Sequence, residues 1–161
     1  MILFEAGRQG RKVRALWIGA LIGALGTAGL TLVSMAQSLD AANAEAAQGR
    51  MQLALFFFGL FGLVAVAMSI YARCYVTRLA FVPGGALVSV ETLGLVHDRI
   101  ETLDPGSIDS TAFWEGGRGY VSAPWWTVRV RDRSLPLIVD AQGEVADVSR
   151  LMVVLSGGGA E

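Results

Sequence analysis

The chain has 161 residues, of which 53% are hydrophobic and 17% are charged, with a formal net charge of −1. This balance excludes the strongly basic surface of a nucleic-acid-binding protein, so no nucleic-acid partner is expected. Cys74 and His97 are the only cysteine and the only histidine. A single cysteine cannot form an intramolecular disulfide, and one cysteine with one histidine cannot form a Cys/His-rich metal centre. No metal or cofactor is therefore expected.

The first 14 residues have the pattern of a short basic tail that precedes an apolar stretch. They contain one acid, Glu5, and four basic residues, Arg8, Arg11, Lys12 and Arg14. The sequence predicts that residues 1–14 form a basic cytoplasmic tail and that the folded parts of the protein begin after it.

Two uncharged apolar stretches, 15–36 and 51–72, follow the tail and are joined by a polar loop, 37–50. At about 1.5 Å per residue, each stretch covers roughly 33 Å, which is enough to cross a hydrocarbon core of roughly 30 Å. The pattern predicts a transmembrane helical hairpin over 15–72. A cleaved signal peptide ending at Ser34-Met35-Ala36 is the alternative for the first stretch. Because this stretch is longer than the usual signal core of about 7–15 residues, we expect a retained helix.

Small residues recur at helical spacing in both apolar stretches. In lipid, such residues let two helices approach closely, so that van der Waals packing drives their association. Two interpretations remain open: the small residues pack the two helices of the hairpin together, or they bind a foreign transmembrane subunit. Self-association of two copies is a third possibility. The predicted helix-docking face comprises Ala15, Gly19, Gly23, Gly26, Gly59 and Gly62.

Aromatic and basic residues predict how the hairpin is oriented. Trp17, Tyr71 and Tyr75 lie at the same end of an antiparallel hairpin, as interfacial anchors do. Basic residues concentrate before the first stretch and just after the second, at Arg73 and Arg78, while the loop carries only one. The positive-inside rule then predicts that both termini are cytoplasmic.

After the second stretch the spacing changes from helical to strand-like. Residues 74–82 and 86–92 flank Pro83-Gly84-Gly85 and predict a β-hairpin. A further strand is expected within Leu95–Leu103. Residues 107–124 are expected to form a flexible connection. Their glycine-rich part lacks the Lys-Ser/Thr ending of a phosphate-binding loop.

The segment WWTVRV, residues 125–130, alternates as a strand does. Trp126, Val128 and Val130 share one face, which predicts core positions, while Trp125 and Arg129 share the other. Pro136, in the following strand, favours an edge position. The predicted contacts for a partner are exposed aromatic or basic residues in this half of the domain: Trp114, Tyr120, Trp125 and Arg129.

The last apolar segment predicts an amphipathic helix that closes over the sheet. Its apolar residues at helical spacing are Val145, Val148, Leu151, Met152 and Leu155. Residues 158–161 are expected to form a frayed tail. The predicted fold class is an α+β membrane protein, with a two-helix transmembrane hairpin followed by a small antiparallel β domain, 73–157, that is closed by a C-terminal helix.

In the order of these elements the chain resembles a family of mitochondrial inner-membrane proteins typified by transmembrane protein seventy. The likeness lies in CYVTRLAFV (74–82), VSVET (88–92) and APWWTVRVRDRSLPLIVD (123–140). It implies a bacterial relative in the cytoplasmic (inner) membrane that helps to assemble respiratory-chain complexes or ATP synthase. It supplies no catalytic residues. The layout also resembles bacterial membrane-tethered PH-like domains, whose fold is likewise strands plus a closing C-terminal helix.

The sequence favours a non-enzymatic function. His97 and Asp98 are adjacent, and adjacent residues of a strand point to opposite faces, so they do not form a catalytic pair. We expect an accessory or assembly subunit whose partners are integral membrane complex subunits and the lipid bilayer. The alternative is a tethered PH-like module that binds lipid headgroups or a cytoplasmic protein. Acidic residues outnumber basic ones after residue 72, which argues against attraction to anionic headgroups.

Overall fold

The computed structural model describes residues 1–38, 44–84, 87–115 and 124–157. Two long apolar helices, antiparallel sheets and a C-terminal helix confirm the α+β architecture. The chain forms two compact units. The globular unit contains Met1–Arg14 and Tyr71–Glu161, and the hairpin unit contains Ala15–Ile70.

Helices α1, Gly7–Gln37, and α2, Ala44–Cys74, have 31 residues each. Both are long and apolar enough to cross a membrane. They extend beyond the predicted stretches, and the alanine- and glutamate-rich end of the predicted loop becomes the first turns of α2 because these residues favour helix. Hydroxyl groups inside the apolar stretches bond to carbonyls one turn earlier: Thr27 Oγ1 donates to Gly23 O at 2.8 Å, and Ser69 Oγ to Ala65 O at 2.7 Å. No polar group needs a partner outside the helix at these positions.

The strands of the globular unit form two antiparallel sheets within the described residues. The first has the order β4-β3-β2-β1-β8 and the second has the order β5-β6-β7. The strands are β1 (Ile2–Glu5), β2 (Val76–Phe81), β3 (Val88–Thr92), β4 (Arg99–Leu103), β5 (Ile108–Trp114), β6 (Trp125–Val130), β7 (Leu137–Asp140) and β8 (Glu144–Val145). A single bridge between Tyr75 and Ile138 joins the start of β2 to β7.

The beginning of the chain is not a free tail, and this part of the sequence prediction is wrong. β1 pairs with β2 on one side and with β8 on the other. Leu3 and Phe4 are completely buried, and Gly7–Arg14 already belong to α1. The first sheet therefore contains one strand from before the hairpin and four from after it. Three consecutive apolar residues, Ile2 to Phe4, are too short a pattern to predict a strand.

The predicted flexible connection, 107–124, is also wrong over its first half. Ile108–Trp114 form β5, the longest strand, which pairs with β6 along its whole length. Serine, aspartate and alanine in this segment weaken its strand propensity. Its pairing with the strongly strand-forming β6 decides its conformation. Residues 116–123 lie outside the described part of the chain.

Other predicted strands are confirmed. β2 and β3 form the expected hairpin, and β6 has the expected bounds, with Val128 and Val130 buried. Trp126, predicted to be in the core, and Trp125, predicted to be exposed, are both half-buried. β7, which follows Pro136, lies at the edge of its sheet. The strand expected within Leu95–Leu103 is shorter than predicted, because only Arg99–Leu103 form β4.

Helix α3, Val148–Leu155, begins at Asp147, whose carboxylate accepts a hydrogen bond from the backbone N–H of Arg150 at 3.0 Å. This N-cap satisfies a backbone donor that has no partner within the helix. The helix begins later than predicted, because Val145 lies in β8, and its buried face differs from the predicted one. Leu151, Val154 and Leu155 are buried, whereas Val148 and Met152 are exposed.

Candidate functional site

The predicted helix-docking face contains one glycine that lies against a side chain of the other helix and four glycines that lie beside open space. A Cβ atom on Gly23 would lie 2.7 Å from the Phe61 ring, so Gly23 leaves the space that this ring of α2 occupies. A Cβ atom would meet nothing within 4 Å at four other predicted positions: Gly19, Gly26, Gly59 and Gly62. Ala15 is exposed. Sequence spacing identifies this face but does not predict which of its glycines lie against the other helix, because that depends on how the two helices are rotated about their axes.

The contacts inside the hairpin come from a second set of small residues. Ala20 and Ser34 are buried on α1, and Ala54 and Ala65 are buried on α2. Trp17, a predicted interfacial anchor, donates its indole N–H to Ser69 Oγ at 3.1 Å and is half-buried. It therefore ties α1 to α2 in addition to any interfacial role.

Large apolar side chains cover the remaining surface of the hairpin. Leu25, Phe56 and Leu63 are 73%, 65% and 68% exposed. Of the most apolar 18 residues in each helix, only 6% in α1 and 11% in α2 are buried. An exposed apolar surface of this extent is typical of a membrane-contacting or protein-binding surface.

Two aromatic pairs lie at the end of the second sheet, one on each face, and we call the pair Trp114 and Trp125 the aromatic ledge. Trp114 stacks on its cross-strand partner Trp125 at 6.4 Å, and Phe113 lies 5.3 Å from Trp126 between ring centroids. Trp114 and Phe113 are 53% and 52% exposed. Arg129 is also exposed and lies further along the same face of β6 as Trp125. The structure thus pairs Trp114 with Trp125, which sequence spacing does not predict because the pairing depends on strand register. Tyr120 lies outside the described residues.

A groove of about 300 Å³ lies on the opposite face of the sheet from this ledge, between β5 and α3. Phe113 and Trp126 line it from the sheet, and Met152 and Leu155 line it from the helix. Thr111 Oγ1 donates to the carbonyl oxygen of Leu155 and fixes the end of α3 against β5. The groove can accept an apolar side chain of a binding partner.

Asp98 is the centre of a polar cluster that the sequence analysis did not assign. Its carboxylate pairs with the Arg14 guanidinium, accepts a hydrogen bond from Thr77 Oγ1 at 2.8 Å and accepts another from the Gly94 N–H at 3.2 Å. Arg14 Nε also donates to Gly94 O at 3.2 Å. We call Arg14, Thr77, Gly94 and Asp98 the Asp98 cluster. It fixes the start of α1 to β2 and to the connection between β3 and β4.

A second arginine holds the other helix. Arg133, in the turn between β6 and β7, donates Nη2–H to the carbonyl oxygen of Arg73 at 3.0 Å and pairs with Glu101 on β4. A cation near the last carbonyls of a helix satisfies them and interacts favourably with the helix dipole. The last turn of α2 and the first turns of α1 are thus each bound to the sheets by an arginine.

Tyr75 is not the interfacial anchor that the sequence predicts. It is only 1% exposed and is the largest of the completely buried side chains. Its hydroxyl donates to Asp140 Oδ2 at 3.3 Å. Burial, with additional effects from the Asp140 and Tyr71 charges and the Asp140 hydrogen bond, raises the pKa of Tyr75. Tyr71 is 36% exposed and remains compatible with an interfacial position.

The Tyr75 environment predicts a loss of stability at alkaline pH. Since the folded state holds the phenol proton more tightly than the unfolded state, whose pKa is about 10, the free energy of unfolding must fall as the pH rises above about 10. Tyr75→Phe is expected to cost about 1 kcal/mol at pH 8, through the lost hydrogen bond, and to make the decline between pH 9 and 11 shallower. Unfolding curves of both proteins across this range test the prediction. Parallel declines would contradict it.

Binding of a metal ion requires a cluster of ligating side chains. Within residues 1–38, 44–84, 87–115 and 124–157, no group of three His, Cys, Asp or Glu side chains could hold a metal ion. His97 is exposed, while its neighbour Asp98 is bound to Arg14 and Thr77. The exposed apolar side chains of the hairpin and of the aromatic ledge are surfaces at which a partner could bind.

No protein-family model and no curated protein matches this chain.

Proposed function

We propose that this protein is a non-enzymatic accessory or assembly subunit of a bacterial inner membrane. In this proposal α1 and α2 cross the membrane, both termini are cytoplasmic, and the hairpin docks onto a larger integral membrane complex. The family resemblance suggests a respiratory or other bioenergetic complex. The observation that carries the proposal is the hairpin surface, which is largely apolar over the two predicted stretches and on which a Cβ atom at Gly19, Gly26, Gly59 or Gly62 would meet nothing within 4 Å.

The glycines distinguish a docking hairpin from a simple anchor. Lipid chains pack equally well against leucine, so an anchor gains nothing from glycine, which also lowers helix propensity by about 1 kcal/mol relative to alanine. Gly23 has a use within the hairpin, because it accommodates Phe61. Gly19 and Gly26 lie two turns apart on α1 and have no such use in a single chain. A second helix packed against them accounts for their presence.

The position of β1 supports a retained first helix. Cleavage after Ala36 would remove β1 from between β2 and β8 and leave both strands without their partner. It would also remove Arg14 from the Asp98 cluster. A chain that keeps its first helix keeps the hairpin that the proposed function needs.

A native pull-down tests the proposal. The tagged full-length chain, produced at its native level and extracted in mild detergent, should co-migrate with integral membrane subunits of one complex. Gly19→Leu combined with Gly26→Leu should lower the recovery of these subunits at least tenfold, because leucine at both positions keeps the partner helix away. Gly49→Leu is the matched control, since this glycine also lies in a helix with nothing within 4 Å but is outside the apolar stretch.

Three outcomes separate the possible functions. Unchanged recovery with the double leucine variant, or isolation of the chain without any partner, would contradict docking through the hairpin. Recovery that is lowered by Trp114→Ala and Trp125→Ala but unchanged by the double leucine variant would favour the second candidate. That candidate is a tethered PH-like module that binds through its aromatic ledge. Recovery of a second copy of the chain alone would indicate a homo-oligomer.

The second candidate gains some support from the structure. The globular unit includes residues 1–14, which add four basic side chains and one acid to it. The excess of acidic residues counted after residue 72 therefore no longer argues against anionic headgroups. The ledge and the groove, on opposite faces of the second sheet, each supply an apolar surface for a protein or lipid ligand.

A further inference from the structure

The connection between β3 and β4 exposes apolar side chains where polar ones are usual. Leu95 and Val96 are 41% and 74% exposed, and Ile100 on β4 is 69% exposed. Connections on a protein surface are normally polar, and clustered exposed apolar residues indicate a contact surface. We call Leu95 and Val96 the apolar tip.

The Asp98 cluster holds this connection in a closed form. Asp98 accepts from the Gly94 N–H, and a Cβ atom on Gly94 would lie 1.8 Å from the backbone oxygen of His97. Only glycine allows so close an approach of the backbone. Residues 95–97 therefore form the exposed end of a tightly closed turn whose two sides meet at Gly94 and Asp98.

The same cluster binds the β3–β4 connection to Arg14, the last residue of α1 that belongs to the globular unit. Arg14 Nε donates to Gly94 O at 3.2 Å and its guanidinium pairs with Asp98. Arg14 is also the last residue before the uncharged stretch that begins at Ala15. If this stretch enters the hydrocarbon core, Arg14 lies in the headgroup layer, where arginine side chains are commonly found. The apolar tip is then held at the surface of the bilayer.

We propose that Leu95 and Val96 insert into the interfacial layer of the membrane, with the lipid bilayer as their partner. Insertion removes two apolar side chains from water, while the neighbouring His97 and Arg99 can remain among the headgroups. The tip gives the globular unit a contact with lipid in addition to α1 and α2. The inference rests on the proposed membrane insertion of the two helices.

Fluorescence quenching in liposomes tests the tip directly. The full-length chain in a Cys74→Ala background is reconstituted into phosphatidylcholine–phosphatidylglycerol vesicles, without other proteins. Val96→Cys carries an environment-sensitive nitrobenzoxadiazole probe, and the vesicles contain lipids with a nitroxide at a shallow acyl position. The probe at residue 96 should be quenched at least twofold and should emit at shorter wavelength than in water.

Two further positions make the result interpretable. Val148→Cys is the matched control, because Val148 is an exposed valine, at 63%, of the same globular unit. It begins α3, in which Arg150 contacts Met1, at the opposite end of β1 from α1. Its probe should remain unquenched. Leu25→Cys, in the middle of the first apolar stretch, should be quenched more strongly by nitroxides placed deep in the bilayer.

The three probes distinguish the failure of this inference from the failure of the proposed function. Quenching at residue 25 with a water-exposed probe at residue 96 would overturn the tip proposal alone and leave the tip available to a protein. An unquenched probe at residue 25 would contradict membrane insertion of the hairpin, and the tip proposal would fall with it. Equal quenching at residues 96 and 148 would also overturn the proposal, because it would show no preference for the tip.

Discussion

Replacing Phe4 with alanine is expected to lower the free energy of unfolding of the globular unit by about 3–5 kcal/mol. Phe4 is completely buried and lies opposite Leu79 of β2 and Val145 of β8. Its ring also lies against Gly143, where a Cβ atom would be 2.3 Å from the ring. Alanine would leave a cavity between two strands that the surrounding backbone cannot fill without separating from its partners.

The measurement is urea unfolding of the full-length chain in mild detergent, followed by tryptophan fluorescence. Ile2→Ala is the matched control, since Ile2 is in the same strand but is 38% exposed. It should cost about 1 kcal/mol or less, because less apolar surface is buried there. Equal and small effects of both variants would contradict the position of β1 and restore the interpretation of residues 1–14 as a free tail.

Asp98→Ala is expected to lower the free energy of unfolding of the globular unit by about 2–3 kcal/mol. The carboxylate accepts three hydrogen bonds, one of them from the charged Arg14 side chain. Hydrogen bonds to charged groups contribute about 1.5–3 kcal/mol, and a donor left without a partner adds its own cost of desolvation. Removing Asp98 deprives Arg14, Thr77 and the Gly94 N–H of an acceptor at once.

Glu91→Ala is the matched control for Asp98. The two carboxylate side chains have the same exposure, 23%, but Glu91 makes a single ion pair with Arg78, at 3.3 Å. Such a pair near the surface contributes about 0–1 kcal/mol. The same urea unfolding experiment should therefore show a clearly larger effect for Asp98. Equal effects would mean that the Asp98 cluster does not fix the start of α1, and the inferred position of the apolar tip would lose its support.

The predictable parts of the fold are those whose signal is local. An uncharged stretch of 22 or so residues can satisfy its backbone only as a helix when it is surrounded by lipid, so composition predicts α1 and α2. The alternation in residues 125–130 predicts β6 with its bounds, and the turn residues between β2 and β3 predict their hairpin. Each of these elements can be predicted from its own residues, without knowing which distant segment it contacts.

The unpredicted parts depend on distant partners. Ile2–Glu5 become a strand because β2 and β8 lie on either side, about 70 and 140 residues later in the sequence. Ile108–Trp114 become β5 because β6 pairs with them. Tyr75 follows the apolar stretch like an anchor, but β7 and Asp140 bury it. Pairing and burial of this kind are tertiary effects that can override local propensity.

The candidate sites also have a part that the local sequence predicts and a part that depends on the tertiary structure. Spacing alone identifies the small-residue face of α1 and the face of β6 that carries Trp125 and Arg129. The rotation of α1 against α2 selects Gly23 for Phe61 and leaves Gly19 uncovered. Strand register brings Trp114 onto Trp125.

The sequence by itself determined the two long apolar helices and the change from helical to strand spacing that follows them. Both are consequences of local composition and period. Only the tertiary structure decided that residues before the hairpin complete the sheet formed after it, and that Asp98 joins Arg14 to the β3–β4 connection. The physical reason is that a buried strand edge and a half-buried carboxylate each need partners, and the chain supplies them from positions far apart in sequence.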